Sequence, residues 1–182
     1  MPRIEVRLTG FGGQGIVLSG IILARAAMHD KKGVVQSQSY GPEARGGACH
    51  SEVIISDEAI HYPLVEEADI LVAMSQEALD KHMNSLKKGG ILIIDSDTIT
   101  RIPDESEVKV TKVPATSIAS EKLGKGIVAN IVMLGTLTNL TGIVSKEAME
   151  KAALESAPRG TEETNLRALK EGYLCAQPSN LS

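Results

Sequence analysis

Leu8-Thr9-Gly10-Phe11-Gly12-Gly13-Gln14-Gly15-Ile16 joins two segments of different hydrophobic period. Before it, Ile4, Val6 and Leu8 alternate with charged residues, the two-residue period of a half-buried strand. After it, Ile16, Val17, Leu18, Ile21, Ile22, Leu23 and the run from Ala24 to Met28 make a mostly apolar helix. A strand therefore enters a glycine turn and leaves as a helix. Gly10, Gly12 and Gly15 have G-x-G-x-x-G spacing, where glycine permits positive φ, close backbone approach and tight packing of helix on strand. The helix start presents unpaired N–H groups and the positive end of its dipole, which suits a phosphate or another anion. The same turn also serves as a plain connection that binds nothing.

A dinucleotide site further needs an acidic residue at the end of the second strand, to hold the ribose. Here that strand, Val34 to Ser39, ends in Ser37-Gln38-Ser39. Asp30 lies before it, and the next acid is Glu43. A stand-alone nucleotide-binding module or NAD(P)-type oxidoreductase is therefore the alternative reading rather than the leading one.

Further strands are expected at Cys49–Ser56, paired as a hairpin with a short arm Ile60–Pro63, and at Ile70–Met74, Ile91–Asp95 and Val108–Val113. The unbroken apolar runs at 70–74 and 91–95 mark strands buried on both faces, while the alternating 108–113 run belongs near an edge. Helices are expected over Gln76–Leu86 with Ser75 as cap, from Pro114 to Leu123, over Asn130–Leu140, from Ser145 through Leu154, and from Thr161 to Leu174. Asp30-Lys31-Lys32-Gly33 closes the first helix, with the glycine placed as its end. Gly135, inside an apolar helix, allows a neighbouring backbone to come close. The order implies an α/β fold: an open, mostly parallel doubly wound sheet with an inserted β-hairpin, residues 1–182 forming one domain.

Composition narrows function. A net charge of −4 and a 2% aromatic content argue against nucleic-acid binding, which needs clustered Lys and Arg or stacking rings. No apolar run approaches the roughly 20 residues of a membrane span, and Met1-Pro2-Arg3-Ile4 is no signal peptide, so a cytoplasmic protein is expected. Cys49 and Cys175 stand alone, so the chain has no cysteine set for an iron–sulfur cluster or zinc. His29, His50, His61 and His82 lack metal spacing and have no obvious carboxylate partner. Asp95-Ser96-Asp97 reads as a turn and helix cap.

A second glycine loop, Ser39-Tyr40-Gly41-Pro42-Glu43-Ala44-Arg45-Gly46-Gly47, follows the second strand. Both loops face the carboxyl ends of early, adjacent strands, the rim where open α/β sheets bind ligands. Arg45 offers a fork for a phosphate or a partner's carboxylate, or pairs internally with Glu43 to shape the loop. The candidate binding residues are Gly12, Gly13, Gln14, Gly15, Tyr40, Gly41, Glu43, Arg45 and Gly46. No acid, base, metal or redox constellation accompanies them, which points to a subunit rather than a self-sufficient enzyme.

The two loops together, with Glu67-Ala68-Asp69-Ile70-Leu71-Val72-Ala73-Met74 and Asn130-Ile131-Val132-Met133-Leu134-Gly135, resemble the gamma subunit of 2-oxoacid:ferredoxin oxidoreductases. The resemblance covers nearly the whole chain. It implies a complex that oxidatively decarboxylates a 2-oxoacid with coenzyme A and ferredoxin. Thiamine diphosphate with its Mg, and the iron–sulfur clusters, would lie on alpha, beta or delta partner subunits. Tyr40 to Gly47 is similar to the 2-oxoglutarate branch, because Ala44 and Gly47-Ala48-Cys49 stand where the pyruvate branch has Arg and Ala-Pro-Val. The implied role is to close over the thiamine site and help hold coenzyme A. A ligand-free assembly subunit is the competing expectation, and an isolated chain is expected to pair with itself through the apolar surface meant for partners.

Overall fold

The computed structural model describes residues 2–39, 48–102 and 107–175. Strand β1 (Ile4–Phe11) leads through the glycine turn into helix α1 (Ile16–His29). Strands β2 (Gly33–Gln38), β3 (Ala48–Ser56) and β4 (Ala68–Ala73) follow. Next come α2 (Gln76–His82), β5 (Leu86–Asp95) and β6 (Lys109–Val113). The chain closes with a single turn α3 (Ala115–Ser117) that runs on as a π turn, then α4 (Ala129–Thr141), α5 (Lys146–Ser156) and α6 (Glu162–Cys175).

The strands form one sheet in the order β2-β3-β1-β4-β5-β6. Pairings β1–β4, β4–β5 and β5–β6 are parallel, and β3 runs antiparallel to both β1 and β2. The hairpin is therefore made by β2 and β3, and residues 60–63 form no second arm. Pro63 lacks the N–H a ladder needs, and Arg3 takes up carbonyls there instead, donating to Tyr62 O and Leu64 O. One consequence corrects the expected neighbourhood of the loops: β1 and β2 are not adjacent, because β3 lies between them.

Alternation along the central strands divides the core. Val6, Leu8, Ile70, Val72 and Ile93 face the layer of α1, α4, α5 and α6. Leu71, Ala73, Leu92 and Ile94 face α2 through Leu79, with Ile99 beside them. The apolar run of β4 is thus buried on both faces, and β6 sits at the sheet edge. The charged face of β1 is covered too. Arg7, directly opposite Glu52 in the β1–β3 register, is 6% exposed. It donates to Glu52 Oε1 through Nε and Nη2, to Val65 O, and to Ser85 Oγ. Burial there is tolerated because the charge is paired and each guanidinium nitrogen makes at least one hydrogen bond.

Small residues set the helix layer. A Cβ on Gly135 would lie 2.3 Å from Leu169 O, and one on Gly172 would lie 2.1 Å from Val132 O, so α4 and α6 touch backbone to backbone. Two ends differ from the sequence expectation. α2 stops at His82, and β5 begins at Leu86, with Gly89 at φ 74° inside it. Lys31, not Gly33, takes the left-handed position after α1, while Gly33 opens β2. Among the described residues no helix is long and apolar enough to cross a membrane.

Candidate functional site

The carboxyl ends of β1 and β4 lie side by side, with Met74 N donating to Thr9 O at 2.9 Å. From this point α1 leaves toward one face of the sheet and α2 toward the other. A parallel sheet opens a crevice at such a divergence, and ligands bind there. Gln14 bridges the crevice. Its Oε1 accepts from Phe11 N at 2.6 Å and its Nε2 donates to Met74 O at 2.8 Å. Thr98 Oγ1 donates to the same carbonyl at 3.0 Å. Gln14 therefore braces the turn from within.

The turn needs its glycines for different reasons. Gly10 has no room, since a Cβ would lie 2.6 Å from Gln14 Oε1. Gly13 has φ 100° and open space where a Cβ would stand. Gly15 caps α1 at φ 75°, without a side-chain bond to the helix start. The first N–H groups of α1 are thus left for an incoming acceptor.

Two hollows flank the turn. On the α2 side, Phe11, Gln14, Met74, Ser75 and Thr98 line one of about 500 Å³. On the other side, Gly13, Gly15 and Leu18 meet Lys125, Asn130 and Asn165 around one of about 220 Å³. Another, of about 520 Å³, lies at the amino ends of β5 and β6, away from this rim, where Lys88 and Glu107 pair at 2.8 Å.

Of the residues expected to bind a ligand, Gly12, Gly13, Gln14 and Gly15 lie together on the turn. Tyr40, Gly41, Glu43, Arg45 and Gly46 lie outside the described residues. Their flanks are placed: Ala48 pairs with Phe11, and Ser39 N donates to His50 O at 3.1 Å. The second loop therefore leaves and rejoins the sheet on the rim that carries the first.

Three residues at the site escape a sequence reading. Lys125 sits in what reads only as a flexible break, Gly124-Lys125-Gly126, yet it lines the hollow beside Gly13 and Gly15. Asn130 donates through Nδ2 to Gly15 O at 3.1 Å and Ser19 Oγ at 3.2 Å. Asn165 faces the same hollow from α6. Asn130 opens the segment 130–135 that carries the family resemblance, but nothing local places it against the glycine turn, and the signal for Asn165 is a polar residue on the core-facing side of its helix.

Elsewhere the titratable groups take structural parts. His29, read as having no carboxylate partner, meets Glu155 at 2.9 Å and ties α1 to α5. His50 packs edge-on against His82 with ring centroids 4.9 Å apart. Asp95 is sealed at the end of β5, where it accepts from Thr116 Oγ1 at 2.5 Å and Asp97 N at 3.1 Å. Burial holds its carboxyl above the ordinary carboxylate range. Its bonds are those of the turn and cap that its sequence context implies.

The family described as pyruvate ferredoxin/flavodoxin oxidoreductase matches residues 5–175. A 2-oxoglutarate synthase subunit, KorC, of Methanocaldococcus jannaschii is 57% identical over 96% of this chain and 95% of its own. The gamma subunit of a keto/oxoacid ferredoxin oxidoreductase from Geobacter sulfurreducens superposes with a TM-score of 0.88 at 46% identity, covering 96% of this chain and 97% of that one. A 2-oxoglutarate:ferredoxin oxidoreductase from Magnetococcus marinus, solved with 2-oxoglutarate, coenzyme A and succinyl-CoA, shares the fold with a TM-score of 0.84 at 23% identity. That match covers 98% of this chain and 32% of the other. With nearly its whole length matched, the chain belongs to the pyruvate ferredoxin/flavodoxin oxidoreductase family.

Proposed function

We infer that the chain is the gamma subunit of a 2-oxoglutarate:ferredoxin oxidoreductase. The complex decarboxylates 2-oxoglutarate oxidatively, passes the succinyl group to coenzyme A and the electrons to ferredoxin. The observation that carries this reading is the near full-length identity with a 2-oxoglutarate synthase subunit. An NAD(P) reading is not favoured: β2 ends in Ser37 and Gln38, and an antiparallel strand separates it from β1.

The chain's own share is to hold coenzyme A for chemistry housed on its partners. Its residues fit the phosphates. The α1 start is uncapped, Gly13 leaves room for close approach, and Lys125 adds a cation to the same hollow. Arg45 on the second loop supplies a further fork-shaped partner. When bound, coenzyme A contributes the thiol that takes the acyl group. Fixing that cofactor at one rim removes part of the entropic barrier to transfer. Thiamine diphosphate with its Mg, and the iron–sulfur clusters, belong to alpha, beta and delta subunits in this reading.

A second reading, in which the rim only docks partner subunits, has one observation in its favour. Phe11, Leu18 and Ile127 are exposed around the turn, Ile127 at 77%. Reconstitution tests the first reading. Partner subunits are assembled with and without this chain, and ferredoxin reduction is followed with 2-oxoglutarate while coenzyme A is varied. The coenzyme A reading expects loss of saturable coenzyme A dependence without the chain. Full turnover with the same KM for coenzyme A when the chain is omitted rejects it.

A further inference from the structure

The hollow bounded by the first turns of α1, α4 and α6 carries a second recognition chemistry beside the phosphate seat. Its walls are apolar, from Leu18, Ile127, Val128 and Ile131, and it encloses about 220 Å³. Two carboxamides stand in that lining, Asn130 and Asn165, which are 3% and 6% exposed.

The orientation of both amides follows from their neighbours. Ser19 Oγ gives its proton to Gly15 O at 3.0 Å, so toward Asn130 it can only accept. Asn130 must therefore present Nδ2 to Ser19 Oγ and to Gly15 O. Thr161 Oγ1 likewise gives its proton to Pro158 O at 2.7 Å. Asn165 must then present Nδ2 to Thr161 O at 2.8 Å and Thr161 Oγ1 at 3.1 Å. Each amide has its nitrogen committed to protein and its oxygen turned the other way. Among the described residues neither Oδ1 receives a hydrogen bond, and neither is sealed from solvent. Two unused acceptors on buried side chains thus open into an apolar hollow, where an unmade hydrogen bond is costly.

We propose that this hollow is a subsite for the N–H-bearing, otherwise apolar part of a phosphorylated ligand, whose donors meet Asn130 and Asn165 while its frame lies against Leu18, Ile127 and Ile131. The proposal rests on the reading of the α1 turn as a seat for the phosphates of coenzyme A. Both halves of that molecule carry such chemistry next to a phosphate: the amide-bearing pantetheine arm and the amino-substituted purine.

Equilibrium binding to the assembled complex tests it, with coenzyme A, 4′-phosphopantetheine and ADP as separate probes. Asn165→Leu removes one acceptor, and Ile127→Gln alters an exposed wall without touching the core. The expected result is coenzyme A weakened about fivefold by Asn165→Leu and about threefold by Ile127→Gln. One half-probe weakens in parallel and the other does not, which identifies the half that occupies the hollow. If the wild-type complex binds coenzyme A and both variants match it with every probe, the subsite is overturned and the phosphate seat stands. A wild-type complex that binds no coenzyme A overturns both.

Discussion

Asn130 Nδ2 lies 3.1 Å from the Gly15 carbonyl, and a Cβ built on Gly15 would fall 2.4 Å from that same nitrogen. Residues 115 positions apart are thereby pressed together at the start of α1. Gly15→Ala meets two obstacles, a φ of 75° and the Asn130 amide. It should cost about 1–3 kcal/mol, read as a lowered urea midpoint. In an Asn130→Ala background the same change should cost less, because the steric part is relieved. Equal penalties in both backgrounds would show that the contact carries no energy.

Arg7 and Glu52 are a second long-range pair, 2.6 Å apart and nearly sealed from solvent. Arg7→Ala leaves the largely buried Glu52 carboxylate without this cation and should destabilise by about 3 kcal/mol. Replacing both with apolar residues of similar volume should restore much of that loss. Chemical denaturation of the two variants checks the comparison, and a double variant as unstable as the single one contradicts it.

The α4–α6 contact is closer than side chains permit. Gly172→Ala would place a methyl 2.1 Å from Val132 O, so the helices must separate. The expected penalty is about 3 kcal/mol. Hydrogen exchange should speed up along α6 before it does so in the sheet, and uniform exchange across both would argue against a local opening.

Asp95 links stability to pH. Burial raises its carboxyl above the ordinary value of 3.8 in the folded state. In the window just above 3.8 the folded chain therefore holds a proton that the unfolded chain has released. That contribution favours folding as pH falls and is lost as pH rises through the folded-state pKa. Asp95→Asn removes it. The stability of the wild type relative to the variant should improve as pH is lowered from neutral toward that window, and parallel pH profiles would refute the assignment.

Much of the architecture is legible in the sequence. The switch of hydrophobic period at Gly10–Gly15 gives β1-turn-α1, and the unbroken apolar runs give the two-faced strands β4 and β5. Pairing partners are less legible, because local pattern does not say which strand lies beside which. Cys49–Ser56 reads as a strand, but its place between β2 and β1 depends on long-range register. Arg7 reads as a solvent-facing charge for the same reason: its partner Glu52 is 45 residues away. At the site, the glycine turn is visible as a motif, whereas Lys125, Asn130 and Asn165 gather there only through the packing of α4 on α1 and of α6 on α4.

The most direct test of the account is the affinity of the assembled complex for coenzyme A, titrated with the wild-type chain and with Lys125→Ala combined with Arg45→Ala. Losing two cationic partners of the phosphates should raise the Kd at least about tenfold and flatten its dependence on salt. A Kd and salt dependence identical to the wild type would mean that the glycine rim does not hold the cofactor's phosphates.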